Sequence, residues 1–166
     1  MIPEATVDDL FALAIAAEET AAEFYRGLVE KFSHESDIAD FWQRYVLDEV
    51  SHALWLERLR CNLRPEQLAG PANHDALALA VQTRNVSAAQ TLAGIDNLDA
   101  AYETANDLEN SETNMVFEFL ITNFPYDREV ASFLRTQLTE HVNRLITAFP
   151  NRFKDPYARR AVAAQG

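Results

Sequence analysis

Apolar residues recur every three to four positions along four segments of the 166-residue chain, a spacing typical of helices that bury one face. The segments run from about Val7 to Phe32, Asp37 to Leu63, Ala88 to Thr122 and Arg128 to Phe149. Short connections join the first segment to the second and the third to the fourth, so each pair is expected to form an antiparallel hairpin. The long stretch between the hairpins contains a short predicted helix over residues 75–82 and can cross the bundle.

The ends of the segments carry residues that begin helices. Thr6, Ser36 and Asp127 stand where an N-cap side chain accepts a backbone N–H. The chain has 4 Gly and 6 Pro, too few turn formers for a protein of many strands. The pattern predicts an all-α four-helix bundle domain over residues 1–150 and a loosely held, basic C-terminal tail over residues 151–166.

The charge balance restricts the partners. Lys and Arg number 14 and Asp and Glu number 26, which gives a net charge of −12. Neither nucleic acid nor a membrane is expected as a partner, because anionic surfaces are bound mostly through Lys and Arg. Cys61 is the only cysteine, which excludes an iron–sulfur cluster held by one chain. The sequence shows neither a signal segment nor an apolar run of ~20 residues, so a cytoplasmic protein is expected.

Several charged residues fall on the apolar faces of the predicted helices. At about 100° per residue, Glu18 lies within the stripe of the first helix, and Glu49 and His52 lie within that of the second. Glu109 and Glu112 lie within the stripe of the third. A buried carboxylate without a partner is costly, and few Lys or Arg share these faces. A metal ion is therefore the expected counter-charge.

The positions of these residues repeat between the two hairpins. Glu18 and Glu109 are 91 residues apart, and each follows an alanine by four positions. Each hairpin would therefore offer ligands from its middle, and two similar half-sites would suit two metal ions. In Glu49-Val-Ser-His52, a carboxylate and an imidazole leave one face of the helix. The carboxylate can bridge two ions while the imidazole binds one of them.

Three segments resemble the rubrerythrin-like branch of the ferritin-like superfamily of di-iron carboxylate proteins. They are residues 14–25, residues 48–53 with their Glu-x-x-His, and residues 109–112, which resemble the paired acids of the third rubrerythrin helix. The resemblance covers about residues 7–149. It implies a ferritin-like bundle that holds two iron ions, or zinc or manganese in their place, and that reacts with peroxide or O2. No haem is expected.

The resemblance also implies roles for the residues. Glu18 and one residue of the fourth helix would be terminal ligands, and His52 would donate a nitrogen. Glu49 and Glu109 would bridge the ions, and Glu112 could move onto an ion as oxidation adds charge. The chain lacks the four cysteines of the rubredoxin-like domain of full rubrerythrins, so an external electron donor would be needed. A homodimer is expected.

The fourth helix departs from the family pattern, which has a second Glu-x-x-His there. By linear spacing, Glu140 takes the glutamate position and Asn143 the histidine position. By the periodicity of the apolar face, His141 takes the glutamate position and Arg144 the histidine position. We predict that His141 points inward, because a one-residue loop insertion is easier to accommodate than the burial of the wrong helix face. Glu140 is the second candidate.

Three functions fit this pattern. The first is an oxidoreductase that reduces peroxide or oxidises ferrous iron. The second is a protein that binds or stores metal without turnover, which the altered fourth helix favours. The third is a scaffold with a vestigial site that serves dimerisation. The content of bound metal and its reactivity toward oxidants separate the three.

Overall fold

The computed structural model describes residues 4–166, apart from the side chain of Glu112. This part of the chain is all-α, as predicted, and contains no β-strand. Its helices are α1 (Val7–Lys31), α2 (Ser36–Asn62), α3 (Pro65–Leu68), α4 (His74–Arg84), α5 (Ala88–Ala93), α6 (Leu98–Glu109), α7 (Glu112–Asn123), α8 (Arg128–Thr147) and α9 (Pro156–Arg160). None of the described helices is both long and apolar enough to cross a membrane.

The first two helices form an antiparallel hairpin. α1 and α2 pack against each other and are joined by residues 32–35. Thr6 caps α1 as predicted: its hydroxyl accepts the Asp9 N–H at 3.2 Å, and the Asp9 carboxylate accepts the Thr6 N–H at 2.8 Å. Ser36, the predicted N-cap of α2, is instead its first residue, and Glu35 occupies the cap position. The hairpin places the middles of the two helices side by side.

The third predicted helix is interrupted twice, so the prediction of one continuous helix over residues 88–122 is wrong. α5 ends before Gly94, and α6 ends at Glu109, with two residues between it and the start of α7. The side chains of Asn97 and Ser111 each accept a backbone N–H of the helix that follows, at 2.8 and 3.3 Å. Short polar side chains compete with the helix for backbone donors in this way, and the periodicity of the apolar face does not detect the competition.

The segment between the hairpins packs over the bundle. α4, which corresponds to the helix predicted over residues 75–82, contacts α1 and α7, and α5 contacts α1. Asp127 caps α8 as predicted, because its carboxylate accepts the Val130 N–H at 2.7 Å. α8 contacts both α6 and α7, so the interrupted third helix and α8 complete the bundle around the first hairpin.

The C-terminal residues pack against α6, so the prediction of a loosely held tail is wrong. The buried guanidinium of Arg159 lies 2.9 Å from the Asp99 carboxylate. The Leu98 N–H donates to the Val162 carbonyl at 2.9 Å. Because Arg159 finds an acidic partner on α6, its positive charge does not keep this segment in solvent.

Two apolar clusters fill the bundle, one on each side of a polar layer. The proximal cluster contains the start of α1 and the end of α2, and its buried members include Leu10, Phe11, Leu56, Phe117, Leu120 and Leu134. The distal cluster is rich in aromatic residues, among them Tyr25, Phe32, Phe41, Trp42, Tyr45 and Phe149. Ionisable residues stand between the two clusters on α1, α2, α6 and α8. The fold thus positions one buried polar layer.

Candidate metal centre

Five ionisable side chains meet in the buried layer between the two clusters. Each is at most 3% exposed, although each belongs to a residue type that prefers solvent or needs a partner when buried. They are Glu18 of α1, Glu49 and His52 of α2, Glu109 of α6 and His141 of α8. Four helices therefore bring their polar groups to one place, as the pattern on the apolar faces predicted.

Glu49 stands in the centre of the layer, with one carboxylate oxygen toward each imidazole. Its Oε2 lies 3.2 Å from His52 Nδ1, and its Oε1 lies 3.0 Å from His141 Nε2. Glu49, His52 and His141 each offer one ligand atom, and these three atoms lie within 4.8 Å of one another. The two oxygens of Glu49 therefore divide the layer into two halves.

Each half contains one imidazole nitrogen and oxygens from two carboxylates. In the first half, Glu18 Oε2 lies 3.6 Å from His52 Nδ1. In the second half, Glu109 Oε2 lies 2.7 Å from His141 Nε2. Together with the two oxygens of Glu49, these atoms give each half the same donor set, one nitrogen and two oxygens.

The close atoms in the layer are not all joined by hydrogen bonds. His141 Nε2 and Glu18 Oε2 are buried and have no hydrogen-bond partner among the described residues. The two carboxylate oxygens beside His141 Nε2 are near enough to touch it, but they lie off the hydrogen-bonding direction. Buried polar atoms are rarely left without a partner. A proton or a cation between these two atoms and their neighbours would satisfy them.

Partners outside the layer hold its members in place. Asp48 Oδ2 lies 3.0 Å from His141 Nδ1 and also pairs with Arg144 of the next helical turn. Because Nδ1 is engaged by Asp48, the other ring nitrogen faces the layer. A carboxylate in this position fixes the orientation of an imidazole ligand and raises its basicity.

The carboxylate of Glu109 is held from its outer side. The Tyr25 hydroxyl donates a hydrogen bond to Glu109 Oε1, and Asn114 Nδ2 donates to the Glu109 backbone carbonyl at 2.6 Å. The Tyr45 hydroxyl donates to the backbone carbonyl of His141 at 3.0 Å. Glu109 is the last residue of α6, so the Asn114 amide of α7 satisfies a carbonyl that the helix end leaves without an intrahelical partner.

Burial and neighbouring charges shift the pKa values of these groups. Burial and then the charge of Glu49 raise the pKa of Glu18 to about 8. Burial alone would lower the pKa of each histidine, but the surrounding carboxylates raise the pKa of His52 to about 10 and that of His141 to about 12. Burial would raise the pKa of Glu49, but the two histidines hold it below its usual range. Near neutral pH, protons and metal ions therefore compete for the same atoms.

The structure separates the two candidates on the fourth helix. His141 is 1% exposed and lies in the layer, so the prediction from the apolar face that it points inward is confirmed. Glu140 and Asn143 are exposed on the outer side of α8 and do not enter the layer. Linear spacing fails here because the apolar stripe of α8 sets its rotation. Arg144 contacts Asp48 instead of the layer, and the side chain of Glu112 lies outside the described part of the structure.

Sequence reasoning assigned no role to Asp48 and Asn114, and it placed Arg144 at the histidine position of the family pattern without pairing it with Asp48. Asp48 directly precedes the Glu-x-x-His of α2, and Arg144 follows His141 by three positions. Both side chains are partly buried, and an acid on one helix and a base on another are a weak signal for an ion pair. Asn114 gave no signal, because its role depends on the break between α6 and α7.

A small polar cavity of about 50 Å³ reaches the layer from outside. It lies between α2 and α8, and its walls include His52, Ser51, Gln137 and Glu140. Only the imidazole of His52 belongs to the buried layer. On the scale on which about 150 Å³ accommodates benzene, a cavity of this size has room for about two non-hydrogen atoms.

Comparisons with protein-family models, with curated proteins and with solved structures find no match to this chain. The functional interpretation therefore depends on the geometry of the buried layer and on the sequence motifs.

Proposed function

We propose that the buried layer is a metal centre and that the protein is a di-metal carboxylate oxidoreductase that resembles rubrerythrins. The observation that carries the proposal is the environment of His141 Nε2. This buried nitrogen has oxygens of Glu109 and Glu49 at 2.7 and 3.0 Å, has no hydrogen bond, and is oriented by Asp48 from its other side. A nitrogen and two carboxylates that converge in this way form a metal-ligand set.

The charges of the layer support a cation as its occupant. Three carboxylates and two imidazoles share a volume closed on both sides by apolar clusters. The Arg144 guanidinium is engaged by Asp48 and does not neutralise the carboxylates directly. Nitrogen and oxygen donors in this proportion suit iron, manganese or zinc. Two ions, one in each half of the layer and both bound by Glu49, would use every donor.

The ferritin-like topology and the rubrerythrin-like function belong to the same proposal. The motif Glu49-Val-Ser-His52 and the acids at positions 18 and 109 support them, because these residues meet in one layer. Two departures distinguish this chain from the family pattern. α8 offers His141 in place of a Glu-x-x-His, and the third helix is broken directly after Glu109.

Bound iron would supply electron transfer to peroxide or O2, and an external donor would return the electrons. The residues of the chain prepare the site for that chemistry. The two apolar clusters exclude bulk water, Tyr25 holds a proton against Glu109, and Asp48 holds a proton on Nδ1 of His141. The polar cavity beside His52 is large enough for peroxide or O2 and too small for an organic substrate.

Metal loading tests the proposal directly. Protein purified without chelator would be stripped, loaded with ferrous iron under anaerobic conditions, desalted and analysed for iron. We expect two iron ions per chain in the wild type and a large loss in Glu49→Gln. Glu140→Gln is the matched control, because Glu140 is an exposed glutamate beside the same cavity, and it should bind iron normally.

The oxidation of the loaded iron tests the reaction. We expect the ferrous protein to react faster with peroxide than with O2 in stopped-flow measurements. A faster reaction with O2 would indicate ferroxidase activity, and bound iron inert to both oxidants would support a storage protein. Equal iron contents in Glu49→Gln and the wild type would overturn the metal centre itself.

A further inference from the structure

A larger cavity lies between helices that do not border the polar one. It has a volume of about 250 Å³, is partly open to solvent, and is lined by α1, by α4 and α5 of the crossover segment, and by α6 and α7. Ala17 and Ala21 of α1 contribute walls of small side chains, and Phe24 contributes an aromatic face. The cavity exists because α1 carries alanines where it meets the crossover helices and the break between α6 and α7.

Most threonine hydroxyls in the walls of this cavity are already hydrogen-bonded. Five threonines line it, and the hydroxyls of four of them donate to a backbone carbonyl three or four residues earlier in the chain. These bonds are Thr20 to Ala16 at 2.9 Å, Thr83 to Ala80 at 2.7 Å, Thr91 to Ser87 at 2.9 Å and Thr104 to Ala100 at 2.7 Å. The donors of these four threonines are satisfied, so these side chains line the cavity mainly with hydrocarbon surface.

The charge at the cavity selects against anions. Among the described residues that line it, Asp107 is the one ionisable side chain, and it is exposed at the rim. The chain as a whole carries a net charge of −12. A carboxylate or phosphate on a ligand would be repelled by this field and would find no basic partner in the described walls.

We propose that this cavity binds a small, neutral, apolar organic molecule. An apolar cavity of about 150 Å³ accommodates benzene, so on the same scale a cavity of about 250 Å³ accommodates about ten non-hydrogen atoms. A ligand of this size would gain from burying hydrocarbon against the alanines, Phe24 and the bonded threonines.

The position of the cavity relates it to the buried layer without making it depend on a metal. Ala17 and Ala21 flank Glu18 in α1, and Leu108, another wall residue, precedes Glu109. A bound molecule would therefore lie within one helical turn of two residues of the layer. Binding itself uses none of the five residues of that layer, so the inference stands or falls separately from the metal centre.

Isothermal titration with two matched probes tests the inference. The first probe is 1-nonanol, a neutral molecule with ten non-hydrogen atoms, and the second is nonanoate, its anionic analogue. We expect saturable binding of one 1-nonanol per chain and binding of nonanoate weaker by about tenfold or more, because an unpaired carboxylate is disfavoured. Asp107→Asn should reduce the difference between the two probes.

Variants that fill the cavity locate the site. Ala17→Phe and Thr104→Phe place an aromatic ring in it from two different helices, and each should weaken 1-nonanol binding by about tenfold or more, because the ring occupies the space of the ligand. Ala16→Phe is the matched control, because Ala16 is exposed on the same helix and should leave binding unchanged. Helical circular dichroism identifies variants that remain folded, and the two filling positions keep the test valid if one variant does not fold.

Three results would overturn the inference. They are the absence of 1-nonanol binding to the wild type, equal binding of 1-nonanol and nonanoate, and binding that survives in both folded filling variants. Iron content, measured on the same preparations, distinguishes these failures from a failure of the metal centre.

Discussion

Asp48 provides a sharp prediction because it touches the layer only through His141. Its Oδ2 lies 3.0 Å from His141 Nδ1, and its other partner is Arg144 at the protein surface. Replacement by alanine removes the group that orients the imidazole and leaves every proposed ligand in place. We therefore expect Asp48→Ala to weaken metal binding while the helical content of the protein is kept.

The expected size of the effect follows from the two contacts that are lost. Removal of a carboxylate that orients a ligand histidine lowers metal affinity by about 10–100-fold, or about 1.4–2.8 kcal/mol. The ion pair with Arg144 is partly exposed, with side-chain exposures of 21% and 32%, so its loss costs the protein at most about 1 kcal/mol of folding stability. The buried Nδ1 of His141 also loses its partner, which costs about 1–3 kcal/mol more, so both metal affinity and folding stability should fall.

Competition with a chromophoric chelator measures the affinity of each variant, and urea unfolding measures its stability. Asp48→Asn keeps an oxygen that can accept from Nδ1, so it should recover part of the affinity lost in Asp48→Ala. Asp40→Ala is the control, because Asp40 is an exposed aspartate on the same helix. The reasoning would be refuted by wild-type affinity in Asp48→Ala, or by a loss of affinity that Asp48→Asn does not reduce.

Three further predictions concern the layer and the core. Glu18→Gln should lower the metal content below two ions per chain, because Glu18 belongs to one half of the layer, whereas the exposed Glu19→Gln should not; equal contents by elemental analysis would contradict this. Leu134→Ala should destabilise the protein by about 2–5 kcal/mol in urea unfolding, because Leu134 is 1% exposed. Ile146→Ala, at a position 70% exposed on the same helix, should change stability by less than about 0.5 kcal/mol. Equal effects of the two substitutions would argue against the rotation of α8. Metal uptake at pH 7 should release on the order of three protons per chain and weaken as the pH falls, because three groups of the layer have pKa values raised to about 8, 10 and 12 and bind protons that the metal displaces. Calorimetry in two buffers of different ionisation enthalpy would detect the release, and uptake without it would contradict the assignment of these groups as ligands.

The rotation of each long helix could be predicted from the sequence, because many apolar residues determine it together. On α8, Leu134, Leu138 and Leu145 recur at helical spacing and are all buried. They fix the face of the helix, and His141 lies on that face. The same periodicity placed Glu18, Glu49 and Glu109 inward. The number of residues between two repeats is not linked to any burial free energy. The interpretation from linear spacing therefore pointed to Glu140, which is exposed.

The break after Glu109 could not be predicted from the apolar stripe. The stripe continues through Ala105, Val116 and Leu120 on both sides of the break, and all three are buried. The interruption depends on Ser111, whose hydroxyl accepts the Thr113 N–H. A single capping bond of this kind is weak compared with the burial of the stripe, so the pattern of apolar residues does not reveal it.

The contacts that complete the centre depend on distant parts of the chain. Asp48 and His141 are separated by 93 positions, and Tyr25 and Glu109 by 84. In the sequence alone, Asp48 has the pattern of a surface acid and Tyr25 has the pattern of a core tyrosine. Only the packing of α1, α2, α6 and α8 selects these partners, so the sequence predicted the inner residues of the layer and not the residues that hold them.

Anomalous X-ray diffraction from crystals of iron-loaded protein tests the central claim most directly. Data collected on both sides of the iron absorption edge locate iron without reference to any assumed ligand. The account predicts two anomalous peaks in the buried layer, one on each side of the Glu49 carboxylate, with His52 beside one and His141 beside the other. An empty layer with iron present in solution, or iron bound only at the exposed acids of the surface, would contradict it.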